Sequence, residues 1–222
     1  MFKNILFDLD GTIIDSREGI INGFVYTLKH FCIEVQDRTS LEKFIGPPLE
    51  DTFVNYYNLT KEQAKYAIEK YREFYEKTGV WETKLYKEID ELIRDLKQNG
   101  KNVLLATSKP EPYANKILEK YNLKQYFYFV SGATLDGTRN AKKDVIKFAL
   151  DNINNLKLEE CIMVGDRNYD ILGAKSNKLK SIGVTYGFGT KQELETAGAD
   201  YIAEDVEELR KVLLKWILTF CK

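Results

Sequence analysis

Phe7-Asp8-Leu9-Asp10-Gly11-Thr12 closes the first apolar run of this chain and decides how the rest is read. Residues 3–9 carry no helical period and stop abruptly at Asp10-Gly11-Thr12. That combination predicts a buried strand followed by a tight turn. Two carboxylates stand at its tip, two residues apart; alone, such a pair is weak and often a solvated turn.

Outward from this stretch the pattern changes. Ile20, Ile21, Phe24, Val25, Leu28 and Phe31 recur at three- and four-residue spacing, predicting an amphipathic helix over 16–31 with Ser16 as its cap. Shorter helices are expected at 41–45 and 49–57, on either side of Gly46-Pro47-Pro48, and a long one at 61–77. No convincing strand falls between 16 and 81. Beyond that point helices and strands alternate: helices at 86–98, 111–121, 142–152, 169–176, 191–197 and 206–220, and strands at 102–106, 126–131, 161–164, 179–184 and 201–203. Alternation of this kind implies right-handed crossovers and a mostly parallel sheet. The expected fold is therefore α/β, a doubly wound parallel sheet (residues 1–15 and 82–222) interrupted after its first strand by an all-helical block (16–81).

Three strands end in polar tips: the first at Asp8 and Asp10, the second at Thr107-Ser108-Lys109, the third at Gly165-Asp166-Arg167 with Asp170 close behind. In an open parallel sheet ligands bind beyond the carboxyl ends of the strands, so these tips should gather into one site. Asp8, Asp10, Asp166 and Asp170 would then crowd together, which raises their pKa values or demands a cation. Oxygen donors without histidine or cysteine suit a hard ion, and Mg²⁺ fits best when a phosphate supplies a further ligand. Gly11 allows the tight turn, Thr107 offers a hydroxyl, and Lys142, opening a helix near the same edge, supplies a positive charge for a phosphoryl group.

Composition is consistent with this. Hydrophobic residues make up 44% of the 222 and charged residues 30%, which excludes a disordered chain. The formal net charge of −1 gives no electrostatic reason to expect nucleic-acid binding. Cys32, Cys161 and Cys221 are scattered and form neither a disulfide framework nor a zinc motif. Neither a signal peptide nor a membrane span is legible, so the expectation is a soluble, cytoplasmic protein.

With order and spacing together, the set resembles the haloacid dehalogenase superfamily in its phosphatase branch. Asp8-Leu9-Asp10-Gly11-Thr12 is similar to that family's first motif, Thr107 to its second, Lys142 to its third, and Gly165-Asp166 with Asp170 to its fourth. The resemblance implies a Rossmann-like core, with the helical block as an alpha-helical cap. It points to phosphoglycolate phosphatase-like members, and Leu135-Asp136-Gly137-Thr138-Arg139 also resembles members described as 5′-nucleotidases. It further implies that Asp8 is the nucleophile and Asp10 the acid and base. Mg²⁺ would be held by the Asp8 side chain, the Asp10 backbone carbonyl and Asp166, with Asp170 orienting metal-bound water. Thr107, Ser108 and Lys142 would bind the phosphate.

Other residues receive plainer readings. Lys109 and Arg139 are expected on the solvated surface, Arg167 in a structural ion pair, and His30 in a structural role. Tyr56, Tyr57, Tyr71, Phe74 and Tyr75 are read as core of the helical block, and residues 44–48 as a substrate-facing turn. The apolar stretch 213–220 is read as packing or a small dimer contact. The expected activity is hydrolysis of a small phosphorylated metabolite, phosphoglycolate or a nucleoside 5′-monophosphate first, by a monomer or small homo-oligomer. A pyrophosphatase, a phosphosugar mutase, a dehalogenase and a non-catalytic binding module are the alternatives.

Overall fold

The computed structural model describes residues 2–214. Residues 215–220 of the expected closing helix, and Cys221, lie outside them. The chain divides into two compact units, Asp15–Lys84 and the remainder.

Strands β1 (Asn4–Phe7), β2 (Ile14–Asp15), β3 (Lys84–Leu85), β4 (Asn102–Pro110), β5 (Phe127–Ala133), β6 (Cys161–Gly165), β7 (Lys180–Val184) and β8 (Tyr201–Ala203) follow in chain order. Six of them form one sheet in the order β5-β4-β1-β6-β7-β8, and every pairing in it is parallel. Strands β2 and β3 form a separate two-stranded sheet. They are only two residues each and carry no alternation, which is why the sequence does not announce them. Strand β1 is central, and Ile5, Leu6 and Phe7 are wholly buried, as a strand covered on both faces requires. From β1 the chain builds outward to β4 and β5 on one side, then returns to build β6, β7 and β8 on the other. The reversal makes β1 the switch point of the sheet.

The helices are α1 (Arg17–Lys29), α2 (Leu49–Asn55), α3 (Lys61–Lys77), α4 (Ile89–Gln98), α5 (Glu111–Lys120), α6 (Lys142–Asp151), α7 (Asn168–Ser176), α8 (Lys191–Ala197) and α9 (Val206–Leu214). Helix α6 matters most for the site. Val145, Ile146 and Ala149 pack in one cluster with Leu6, Leu104 and Met163 of the sheet. Fully burying Val145 and Ile146 is worth about 1.5–3 kcal/mol each. Lys142 lies three and four residues before them, so the period that buries those side chains also turns Lys142 inward.

The helical unit contains α1, α2 and α3 with two 3₁₀ turns, Thr39–Phe44 and Gly79–Trp81. The first of these stands where a short helix is expected at 41–45. A capping box fixes the start of α3: Thr60 accepts from the Gln63 N–H, and the Gln63 side chain accepts from the Thr60 N–H. Ser16 stands at the start of α1, but its hydroxyl makes no capping bond. Phe24 is fully buried, with the rings of Phe44, Phe53 and Tyr71 at 5.5, 5.6 and 5.4 Å from its own. Tyr71 and Tyr75 belong to this core, whereas Tyr56 is 56% exposed. His30 ends α1, 5.1 Å from the Tyr26 ring. No helix among the described residues is long and apolar enough to cross a membrane.

Phe24→Ala removes the ring on which the other three converge. It is expected to destabilise the helical unit by about 3–5 kcal/mol. Chemical denaturation followed by tyrosine fluorescence measures this, and an unchanged midpoint would show that the cluster is not the core of the unit.

Candidate active site

The site is built where β1, β4, β6 and β7 end. Strand β1 gives way to Asp8, whose N–H donates to the Val164 carbonyl at 2.9 Å and so keeps the backbone against β6. The chain then turns. Gly11 has φ +78° and donates to the Ile14 carbonyl, while Ile13 donates to Leu9. A side chain at Gly11 would be strained, and its Cβ would fall 2.1 Å from Asp166 Oδ2.

Lys142 is buried, and its Nζ is 2.8 Å from Asp8 Oδ1, 2.8 Å from Asp170 Oδ1 and 3.2 Å from the Ala106 carbonyl, to which it donates. The adjacent Lys143 is exposed. Asp170, in the first turn of α7, accepts the Arg167 N–H with Oδ2. It thus caps its own helix with one oxygen and faces Lys142 with the other. Asp166 is wholly buried and accepts the Phe188 N–H at 2.8 Å and the Thr12 hydroxyl at 3.4 Å.

Asp8, Asp166 and Asp170 therefore form one buried cluster, with a carboxylate oxygen from each lying within 4.8 Å of the others. Burial pushes the Asp8 carboxyl up to about 6; Lys142 pulls against this, and Asp170 adds to it. Asp166 is raised well above the usual carboxylate range, by burial first and then by Asp170 and Asp8. Burial alone would lower the Lys142 ammonium, but the carboxylates of Asp170 and Asp8 outweigh it and hold the amine protonated.

Three acids face one ammonium, so the cluster suits a cation. Asp8 Oδ1 and Asp170 Oδ1 lie close to Lys142, yet neither accepts an aligned hydrogen bond among the described residues, and each keeps lone pairs to offer. The donors are all oxygen, as Mg²⁺ prefers, and ligands on opposite sides of that ion stand about 4.2 Å apart. In residue type and separation the three acids could hold such an ion.

The remaining expected residues take different places. Thr107 is buried, and its hydroxyl oxygen accepts the Lys109 N–H at 3.2 Å. Ser108 beside it is half-buried. The Asp10 carboxylate turns to Lys109, not to the three-acid cluster, with Lys109 Nζ 2.9 Å from each of its oxygens. Lys109 is thus not solvated surface: its side chain is 5% exposed. Arg139 also departs from the surface reading. It pairs with Glu111 at 2.9 Å, donates to the Gly132 carbonyl and lies 3.8 Å over the Phe148 ring. Arg167 pairs with Glu193 at 2.9 Å.

Sequence reasoning missed a fourth strand tip. The loop after β7 places Gly187 so close that a Cβ there would come within 2.3 Å of the Gly11 carbonyl oxygen and 2.5 Å of Asp166 Cβ. Its neighbour Phe188 binds Asp166, and the Tyr186 hydroxyl donates to the Thr12 carbonyl at 3.0 Å. The signal was present as Gly187-Phe188-Gly189, three residues past the end of an apolar strand.

Comparison with known proteins gives a consistent picture. A family model described as haloacid dehalogenase-like hydrolase matches residues 5–184. A 5′-nucleotidase of Pseudomonas aeruginosa is 40% identical over 212 residues, covering 96% of each chain. Tyrosine-protein kinase PtkA of Mycobacterium tuberculosis is 34% identical over 94% of this chain and 72% of its own. Among solved structures, a predicted phosphatase from Clostridium acetobutylicum superimposes with a TM-score of 0.93 at 46% identity, covering 97% of this chain and 99% of the other. Sheet topology, clustered strand tips and these likenesses agree: the chain belongs to the haloacid dehalogenase-like hydrolase family and is an enzyme of its phosphatase branch.

Proposed function

We propose that this protein is a Mg²⁺-dependent phosphatase that hydrolyses a small phosphomonoester through a phosphorylated Asp8. The observation that carries the reading is the buried Asp8 carboxylate, 2.8 Å from Lys142 and grouped with Asp166 and Asp170 at the switch point of the sheet.

Asp8 attacks phosphorus through one carboxylate oxygen as the bond to the leaving alcohol breaks, and Asp10 gives that alcohol its proton. Asp10 then takes a proton from water. The water oxygen attacks phosphorus, the bond to Asp8 breaks, and inorganic phosphate leaves. Lys142 stabilises the charge on the transferring group from a fixed position. Thr107 accepts a hydrogen bond from Lys109 and so keeps its own O–H to donate to a phosphate oxygen, with Ser108 beside it. Asp8, Asp166 and the Asp10 backbone carbonyl would hold Mg²⁺, with Asp170 behind them. When bound, that ion supplies charge neutralisation for phosphoryl transfer.

The reading extends to partners. The substrate is a small phosphorylated metabolite rather than a nucleic acid or a membrane. The likeness to a 5′-nucleotidase supports a nucleoside 5′-monophosphate beside phosphoglycolate. Residues 16–81 are taken as the cap that selects it, in a cytoplasmic monomer or small homo-oligomer.

Asp8→Asn should reduce turnover of phosphate esters on the order of 10⁴-fold or more while leaving the circular dichroism spectrum unchanged. Parent-like hydrolysis by that variant would remove Asp8 as nucleophile. Chelation by EDTA should stop turnover, and Mg²⁺ should restore it. In a thermal melt without substrate, Mg²⁺ at about a hundred times its Kd should stabilise the parent by about 2.7 kcal/mol. Asp166→Asn should lose most of that response, and an equal response from both proteins would place the ion elsewhere.

A further inference from the structure

Lys109 is a buried charge that the chemistry above leaves without a task. Its place is set by its neighbours. The Thr107 hydroxyl oxygen accepts its N–H, and Pro110 follows it, a residue that keeps the preceding backbone extended. Strand β4 pairs with β1 as far as Phe7 and Leu105, then continues to Pro110, which carries Lys109 alongside the turn that bears Asp10. There the ammonium lies 2.9 Å from both carboxylate oxygens, with 5% of the Lys109 side chain and 15% of the Asp10 side chain exposed. Ordering and burying a long lysine stem opposes folding, so this contact is unlike the loose pairs of a protein surface.

We propose that Lys109 is a positioning residue for Asp10: by gripping both oxygens it holds the carboxyl group in the one orientation from which a proton reaches the leaving alcohol. The inference rests on the phosphatase reading, and on Asp10 as its proton donor. The Lys109 ammonium spans Asp10, while Lys142 is the lysine that faces Asp8. On this proposal the effect of Lys109 travels through proton transfer. An alkoxide leaves poorly unless it is protonated, whereas 4-nitrophenolate leaves readily without help. A lysine that only stabilised the fold, or only bound phosphate, would affect both esters alike.

The experiment compares kcat/KM for an alkyl phosphate and for 4-nitrophenyl phosphate in the parent, Asp10→Asn and Lys109→Met, all with Mg²⁺. Lys109→Met should lose about 10–100-fold on the alkyl ester and about threefold or less on the aryl ester, following the pattern of Asp10→Asn. Equal losses on the two esters, or no loss on the alkyl ester, would overturn the positioning role. If Lys109→Met does not give the parent circular dichroism spectrum, Lys109→Gln, which keeps a donor on a shorter stem, carries the same comparison. A parent inactive on both esters, or an Asp10→Asn variant blind to the leaving group, would instead defeat the phosphatase reading, and the positioning role with it.

Discussion

Buried negative charge without enough positive charge to balance it governs the α/β unit. Asp8, Asp166 and Asp170 lie within 4.8 Å of one another, and Lys142 is paired with two of them. At that separation each pair of carboxylates repels by about 3–4 kcal/mol with an effective dielectric near 20. One ammonium offsets part of this, and Asp166 receives only neutral donors, from Phe188 and Thr12. Burial first, and the neighbouring acids after it, raise the carboxyls of Asp8 and Asp166. On the proposed function, a divalent cation would offset the acids and a phosphoryl group would face Lys142.

The backbone around the cluster follows from that demand. The loops close tightly on the cluster and leave no room for side chains where the chain turns. Gly11 and Gly187 meet on either side of Asp166, and neither could carry a Cβ without striking the other loop or the carboxylate. The parallel sheet supplies the remaining rigidity. Every strand that contributes to the site ends at the same edge, and the switch at β1 opens that edge between β4 and β6. Helix α6 brings Lys142 inward on the same stripe as Val145, Ile146 and Ala149, so its charge is held as firmly as the core itself.

Much of this was legible from residues alone, for identifiable reasons. Lys61–Lys77, Lys191–Ala197 and Tyr201–Ala203 fall within the expected limits, because a strong apolar period or a short apolar run bounded by turn residues defines each. The parallel order of the sheet follows from strict alternation of strand and helix. What was not legible depends on the third dimension. Strand β4 runs four residues past the apolar stretch that reveals it, since Thr107-Ser108-Lys109-Pro110 is polar in composition yet extended in place. Lys109 consequently reads as surface until its partner Asp10 is found 99 positions away. Arg139 reads the same way until Glu111 and Phe148 close around it. The loop at 186–189 looks like an ordinary linker because its contribution is a close approach at Gly187 and one backbone N–H from Phe188, neither of which residue type reveals.

The likenesses carry a chemical lesson as well. A 5′-nucleotidase and a tyrosine-protein kinase each align with more than nine-tenths of this chain. A phosphorylated carboxylate is a mixed anhydride, equally able to pass its phosphoryl group to water or to another hydroxyl. Nucleophile, lysine and acidic cluster serve either outcome. The outcome turns on which acceptor reaches phosphorus and on what removes its proton. Asp10 is the group proposed for that step, and both of its oxygens are held by a buried lysine on the neighbouring strand. If Asp10 acts as proposed, control of the acceptor would lie partly at this contact between β4 and the turn after β1, and not only in the residues that recognise the rest of the substrate.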